Sequence, residues 1–155
     1  MKKAIKITSI SVLGLFLFLV DRILKHYISE VSVILSSKSF FSWFMIEKTI
    51  NRGVAFGIPV NYWLLIFLYI IIVAALCFLA AIMIKKNDYI SFGALFIIIC
   101  GAFSNFIDRI SFGYVIDYFN VLNFSVFNVA DVMITCGAVI FIISNFFNKK
   151  NAHSS

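Results

Sequence analysis

The sequence predicts an all-α integral membrane protein with four transmembrane helices, and two observations support this prediction. Of the 155 residues, 63% are apolar and only 13% are charged, whereas an ordinary soluble domain is about 45–50% apolar and about 25% charged. A soluble domain of this size could not hide that excess, because small domains bury only part of their surface. The chain also contains four long apolar stretches, and its length predicts one domain that covers residues 1–155.

The predicted spans cover residues 5–25, 63–84, 89–108 and 129–147. The second and third contain long runs without a charged residue, as a membrane helix of about 20 residues requires. The first and fourth have shorter uncharged runs. Each reaches spanning length only if an aspartate, Asp21 or Asp131, lies at the membrane edge. This requirement is the first indication of function.

Basic residues are concentrated on one side of the predicted spans. Four spans place both termini and the turn between spans two and three on the same side, which carries seven basic residues and one acid. The opposite side carries six of each, so the whole net charge of +6 belongs to the first side. Cytoplasmic loops are enriched in Lys and Arg. Both termini are therefore predicted to be cytoplasmic, and the segments 26–62 and 109–128 to be extracytoplasmic.

The first extracytoplasmic segment is too long for a simple turn. Apolar and polar residues alternate at 31–34 and 40–46, as in short strands, and turn residues follow at 51–53 and 57–59. The sequence therefore predicts a small β-rich segment between helices 1 and 2. The second segment, 109–128, is rich in Phe, Tyr and Asn.

Four of the seven acids converge on the outer membrane edge from separate parts of the chain. They are Asp21, Asp108, Asp117 and Asp131. Acids at membrane depth are energetically expensive and usually mark a functional site. A structural role can explain three of them: Asp21 has Lys25 one turn away, Asp108 has Arg109 beside it, and Asp131 can favour a helix N-terminus.

Asp117 lies in an aromatic and apolar run, residues 114–119, without a basic neighbour in sequence. Burial there would raise the pKa of its carboxyl group. Two such carboxyl groups brought together share a proton, which is how aspartic proteases activate water. Motifs for zinc proteases, serine hydrolases, phosphate binding and nucleic-acid binding are not found in the sequence. We therefore expect no metal, no organic cofactor and no nucleic-acid partner.

Two other functions fit membrane-edge acids. A small transporter or proton-relay component would use them to pass protons or cations, but it favours acids at mid-membrane depth. A non-catalytic membrane scaffold would tolerate Asn at positions 117 and 131.

Five short motifs occur in the order found in one family. They are Asp21-x-x-x-Lys25, Asn51-x-Gly53-Val54-Ala55-Phe56, Gly101-x-x-x-Asn105-x-x-Asp108-Arg109, Val115-x-Asp117 and Phe127-Asn128-x-Ala130-Asp131. With these motifs the chain resembles the lipoprotein signal peptidases, also called type II signal peptidases, along nearly its full length.

The resemblance implies a membrane-embedded aspartyl endopeptidase of the bacterial cytoplasmic membrane. Such an enzyme removes the signal peptide of a prolipoprotein before its diacylglyceryl-modified cysteine, at the extracytoplasmic face and in contact with membrane lipid. The family's catalytic dyad maps onto Asp117 and Asp131, and Asp21 with Lys25 onto its supporting pair. Nothing in the sequence requires more than a monomer. The other residues that map onto supporting or substrate-binding positions are Asn51, Gly53, Gly101, Asn105, Asp108, Arg109, Asn128 and Ala130, with a structural role for Asp108.

The chain departs from the family pattern at a few positions. Phe103 and Ser104 stand where small residues are usual, Arg22 where Gln is common, and Val54 where Ala is common. None of these departures removes a functional group that the chemistry needs.

Overall fold

Four helices in the part of the chain that the structure describes are long and apolar enough to cross a membrane, as predicted. The computed structural model describes residues 2–31, 38–41, 43–53, 61–121 and 125–153. The helices are α1 (Lys2–Val31), α2 (Tyr62–Lys85), α3 (Tyr89–Phe112) and α4 (Val129–His153). Helices α1, α3 and α4 continue several residues beyond the predicted spans. Val31, predicted as part of a strand, is instead the last residue of α1.

Local sequence explains several helix ends. The side chain of Asn61 accepts hydrogen bonds from the backbone N–H groups of Trp63 and Leu64, which caps α2. Asp88 caps α3 in the same way through the N–H of Ser91. Helix α3 ends at Gly113, whose φ of 77° is favourable only for glycine.

The outer segments form one antiparallel sheet in the order β1-β2-β3-β4. Its strands are β1 (Lys38–Phe41), β2 (Phe44–Asn51), β3 (Val115–Val121) and β4 (Ser125–Phe127). The predicted β-rich segment between α1 and α2 is therefore confirmed, but half of the strands come from the segment between α3 and α4. Strand β3 is buried at five of its first six residues. Such a strand does not show the alternation that reveals a half-buried one.

Helix α3 is the central helix of the bundle. Of its most apolar stretch 61% is buried, against 11–17% for the other three helices. The lipid-facing surface of those helices is apolar, with side chains such as Phe16, Phe67 and Ile142 at least 60% exposed. Because α3 leads directly into β3, whatever lies at its C-terminal end also meets the sheet.

Glycines allow α3 and α4 to approach closely. A Cβ atom at Gly101 would lie 2.6 Å from the backbone oxygen of Ala130, and one at Gly137 would lie 2.8 Å from that of Ala94. Small residues at such contacts are typical of membrane helix pairs, because they let backbones pack against each other. Gly137 was not singled out in the sequence. This close contact fixes the start of α4 against the middle of α3.

Candidate active site

The four predicted acids gather at the sheet end of the bundle. Asp21 comes from α1, Asp108 from the last turns of α3, Asp117 from β3 and Asp131 from the first turn of α4. The first three side chains are at most 2% exposed. Residues 54–56 of the second matched motif, and the predicted turn at 57–59, lie outside the described residues.

Asn128 joins Asp117 to Asp131. Its side-chain amide donates to Asp117 Oδ1 at 2.6 Å, and its backbone N–H donates to Asp131 Oδ2 at 3.2 Å. In return, the backbone N–H of Asp131 donates to the side-chain oxygen of Asn128 at 2.9 Å. This reciprocal pair is a capping box at the start of α4. One local motif thus caps the helix and brings two carboxyl groups to the same residue.

Asp117 is almost fully enclosed by protein. A second amide, that of Asn51 on the neighbouring strand, donates to its Oδ2 atom at 3.0 Å. Burial raises the pKa of Asp117 to about 6, and the nearby charge of Asp131 adds to the increase, while the Asn51 hydrogen bond opposes it. This carboxyl group therefore keeps its proton to a higher pH than an ordinary aspartate does.

Asp131 is half-buried and borders open space. The side-chain amide of Asn105 donates to its Oδ1 atom at 2.8 Å. On the other side lies a cleft of about 300 Å³ between β4 and α4. The cleft is lined by Ser125, Phe127, Asp131, Val132, Thr135 and Cys136. A ligand in this cleft can reach Asp131 from the lipid-facing side of the bundle.

Three asparagine amides point their NH2 groups at the two carboxyl groups, and each is held in that orientation by a donor on its oxygen. The oxygen of Asn51 accepts from the backbone N–H of Gly53 at 3.1 Å. The oxygen of Asn105 accepts from the ammonium group of Lys25 at 2.7 Å, and that of Asn128 accepts from the N–H of Asp131. Because an ammonium or N–H group can only donate, the amides cannot turn their oxygens toward the acids without losing these bonds.

A second layer of charged residues lies behind the asparagines. The Lys25 ammonium group contacts Asp21 Oδ2 at 3.1 Å and Asp108 Oδ2 at 2.8 Å, and all three side chains are at most 1% exposed. Asp108 also forms an ion pair with Arg22. The partners of Asp108 are therefore two cations of α1 and not the adjacent Arg109.

Tyr118 also belongs to this second layer, although sequence reasoning missed it. Its hydroxyl group donates to Asp21 Oδ1 at 2.9 Å and accepts from the backbone N–H of Val129 at 3.1 Å. The side chain is fully buried, and this burial raises the pKa of its phenol group. Its position beside Asp117 did not reveal this role, because adjacent residues of a strand point to opposite faces and the contact with Asp21 joins distant parts of the chain.

The remaining predicted residues also lie here. Arg109 donates to the backbone oxygen of Gly53 at 2.8 Å, which holds the end of β2 next to α3. The N–H of Ala130 donates to Asp21 at 3.1 Å, and Gly101 packs under Ala130. All twelve predicted site residues therefore meet at one end of the molecule.

The arrangement can activate a water molecule. Asp117 and Asp131 are hydrogen-bonded to the same residue, Asn128, which keeps them near each other. Two nearby carboxyl groups share one proton more readily than they both ionise, because two like charges repel. Among the described residues, no three His, Cys, Asp or Glu side chains are grouped to hold a metal ion. The expectation of a reaction without cofactor stays a prediction.

Known proteins of one kind are similar to this chain. The family model described as signal peptidase (SPase) II matches residues 13–147. A lipoprotein signal peptidase of Streptococcus pneumoniae is 32% identical over 149 residues, which cover 93% of this chain and 96% of that protein. One of Clostridium tetani is 38% identical over 144 residues, which cover 86% and 88%.

Solved structures agree with these sequence matches. A bacterial membrane enzyme superimposes with a TM-score of 0.80 at 28% identity, covering 91% of this chain and 90% of its own. A second gives a TM-score of 0.72 at 29% identity.

Proposed function

Because the chain belongs to the signal peptidase II family, we propose that it is an aspartyl endopeptidase with Asp117 and Asp131 as its catalytic dyad. Membership of this family, together with the four membrane-spanning helices, shows that the protein is a bacterial multi-pass membrane protease that processes lipoproteins. The proposal adds the catalytic type and the cleaved bond, which is the one before the diacylglyceryl-modified cysteine of a prolipoprotein. The observation that carries it is the bonding of both carboxyl groups to Asn128.

The two acids have different parts in the proposed reaction. Asp131 lies in the first turn of α4 and borders the cleft, so a water molecule or a substrate can reach it. It takes a proton from water while the water oxygen attacks the scissile carbonyl carbon. Asp117, whose raised pKa favours the protonated form, gives its proton to the carbonyl oxygen. When the intermediate collapses, Asp131 passes its proton to the leaving nitrogen and Asp117 recovers one from the diol, which restores both acids.

Substrate access from the membrane plane agrees with the position of the cleft. Its lining is largely apolar apart from Asp131 and two hydroxyl groups, and it opens beside lipid-facing residues of α4 such as Val132. A substrate anchored by its acyl chains and apolar signal helix would diffuse to this opening within the bilayer. The opposite end of the bundle carries seven basic residues and one acid, whereas the sheet end carries six of each. This excess of positive charge supports an extracytoplasmic site with both termini in the cytoplasm.

The proposed enzyme works as a monomer. This expectation rests on one chain supplying both acids and the three asparagine amides that bond to them. The exposed Trp43, in the turn between β1 and β2, is suited to the membrane–water interface and supports a sheet that rests on the membrane surface.

Cleavage by the detergent-purified protein tests the proposal. The substrate is a diacylglyceryl-modified prolipoprotein, and the same precursor without the lipid is the substrate control. Asp117→Asn and Asp131→Asn are each expected to lose at least about 10³-fold in rate while remaining folded. Glu30→Gln, which changes an exposed acid at the same end of the molecule, is expected to keep the wild-type rate.

Two outcomes would count against the proposal. If folded Asp117→Asn still cleaves at a rate near that of the wild type, the dyad assignment is wrong. If the folded wild-type protein does not cleave the lipid-modified precursor, a transporter or proton-relay function becomes the better reading of the same acids, and solute or proton flux in vesicles would be measured next.

A further inference from the structure

Arg22 is a charged residue near the site for which the proposed reaction has no use. Its guanidinium group forms an ion pair with Asp108 Oδ1 and donates to the backbone oxygen of Ser104 at 3.3 Å. The Arg22 side chain is 25% exposed, whereas Asp108 is fully buried. An interaction with a buried partner is screened less by salt than a contact on the open surface.

A continuous series of polar contacts leads from Arg22 to Asp131. Asp108 uses its other oxygen for the ammonium group of Lys25, at 2.8 Å. Lys25 donates to the oxygen of Asn105 at 2.7 Å, and the amide of Asn105 donates to Asp131 at 2.8 Å. Lys25 thereby sets which end of the Asn105 amide meets Asp131.

Charge balance in this layer depends on Arg22. Asp21 and Asp108 bring two negative charges, and Lys25 supplies one positive charge. Arg22 brings the sum to zero. Without it, a buried excess of one negative charge would lie next to the dyad, and it would draw Lys25 toward the acids and away from Asn105. A negative charge close to a carboxyl group raises its pKa.

The charged and titratable groups around Asp108 and the dyad come from every element packed against α3. They are Asp21, Arg22 and Lys25 of α1, Tyr62 and Tyr69 of α2, Arg109 of α3 itself, Asp117 and Tyr118 of β3, and Asp131 of α4. Besides Arg22 and Lys25, Arg109 is the remaining cation in this set. Its guanidinium group is committed to Gly53 and Tyr69.

We propose that Arg22 is a positioning residue for the proposed peptidase reaction. By neutralising Asp108 it keeps Lys25 on Asn105 and sets the pH range in which the dyad holds a single proton. This inference rests on the proposed function, because it assigns a pH dependence to that dyad. A residue that only pins α1 to α3 would change the stability of the protein but not the pH at which it is active.

The pH dependence of the cleavage rate tests this. Arg22→Gln is expected to move both limbs of the profile to higher pH by roughly 0.5 to 1 unit. In general, a unit charge at a separation on the order of 10 Å shifts a pKa by about 1 unit at an effective dielectric constant of about 20, and salt reduces the shift. Arg22→Lys is expected to keep the wild-type profile. Lys6→Gln, which removes one exposed positive charge at the other end of the molecule, is the matched control and should shift nothing.

Two further variants separate charge balance from structural support. Asp108→Asn leaves Arg22 in place and creates an excess positive charge, so its profile should move to lower pH. The double variant Arg22→Gln with Asp108→Asn is neutral again, and its profile should return to within about 0.2 units of the wild type. Thermal unfolding midpoints establish that each variant is folded, and the Asp108→Asn shift tests the inference even if Arg22→Gln does not fold.

The results distinguish this inference from the proposed function. An active wild type whose profile is unchanged in Arg22→Gln, or a double variant shifted as far as the single one, overturns the role of Arg22 and leaves the peptidase intact. A folded but inactive wild type overturns the proposed function, and the role of Arg22 with it.

Discussion

The two ends of the helix bundle are built in different ways. Of the ten buried polar side chains among the described residues, all except Ser91 lie at the sheet end. Near the turn between α2 and α3, the buried side chains form an apolar cluster of Ala80, Met83, Phe92 and Leu95. The chain therefore places its buried charges at one end and close apolar packing at the other.

This difference indicates that the apolar end serves stability and that the sheet end serves the reaction. In lipid, helices gain little from burying apolar surface and are held together mainly by close packing and by interhelical hydrogen bonds. A bundle of this kind needs no buried ion pairs, since apolar side chains of similar volume are often as stabilising. We infer that the charges at the sheet end are kept for their effect on Asp117 and Asp131.

The largest effect should follow from removing the central cation of the sheet end. Lys25→Met preserves side-chain length but leaves Asp21 and Asp108 with one cation between them and frees the Asn105 amide. Breaking a buried pair in this way costs about 3–5 kcal/mol. We expect a large fall in the thermal unfolding midpoint in detergent and loss of cleavage. Ile23→Met, at a 65% exposed position of the same helix, should change neither; a stable and active Lys25→Met would contradict the comparison.

The second largest effect tests whether the close packing of α3 against α4 positions the residues at the sheet end. Gly101→Ala would place a methyl group 2.6 Å from the backbone oxygen of Ala130, which cannot turn away as a side chain can. The start of α4, with Asn128 and Asp131, must then shift, and we expect cleavage to fall by about 10²-fold, as small misplacements of catalytic groups do. Gly93→Ala is the matched control, because the nearest atom to its methyl group would be a side-chain methyl of Ile10 at 3.1 Å, where a shift of a few tenths of an ångström relieves the contact. Equal losses in both variants would show that the glycine at the site has no special role.

A smaller effect concerns the environment of Asp117 alone. Asn51→Ala removes a hydrogen bond that stabilises the ionised carboxylate, so the pKa of Asp117 should rise above its present value of about 6. If Asp117 must be protonated, it sets the alkaline limb of the rate profile. That limb should then move to higher pH by about 1 unit. Ile50→Val, at the exposed neighbouring position, should leave the profile in place, and a shift to lower pH would show that the sign of this argument is wrong.

The smallest effect is expected at the opposite end. The hydroxyl group of Ser91 donates to that of Ser144 across α3 and α4 at 3.0 Å. Such bonds contribute about 0.6 kcal/mol on average in membrane proteins. Ser91→Ala and Ser144→Ala, alone and together, should lower the unfolding midpoint slightly and leave the cleavage rate unchanged. A loss as large as that of Lys25→Met would erase the distinction between the two ends.

Much of the fold could be predicted because its signals are local. The four helices follow from long apolar runs, whose length is set by the thickness of the bilayer. Strands β1 and β2 follow from alternation and turn residues. Strand β3 was missed because it is buried on both faces, and an almost continuous apolar run does not distinguish a strand from a loop between two helices.

In the candidate site, too, features set by the order of residues along the chain could be predicted, whereas contacts between distant residues could not. That Asp21, Asp108, Asp117 and Asp131 gather at one end of the bundle follows from the order of spans, because each of them lies at or just beyond the same end of an apolar span. Which acid pairs with which cation does not follow from it. Asp108 is adjacent to Arg109 in sequence, yet its partners are Lys25 and Arg22, more than 80 positions away.

The sequence by itself determined the solvent, the number of spans and the end of the bundle at which each site acid lies, since these depend on hydropathy and on the order of residues along one chain. Only the tertiary structure decided that Asn128 joins Asp117 to Asp131, that Lys25 orients Asn105, and that Arg22 completes the charge balance. The reason is physical: the free energy of a buried charge depends on atoms within a few ångströms of it in space, and those atoms belong to α1, α3, β3 and α4, which the chain brings together only when it folds.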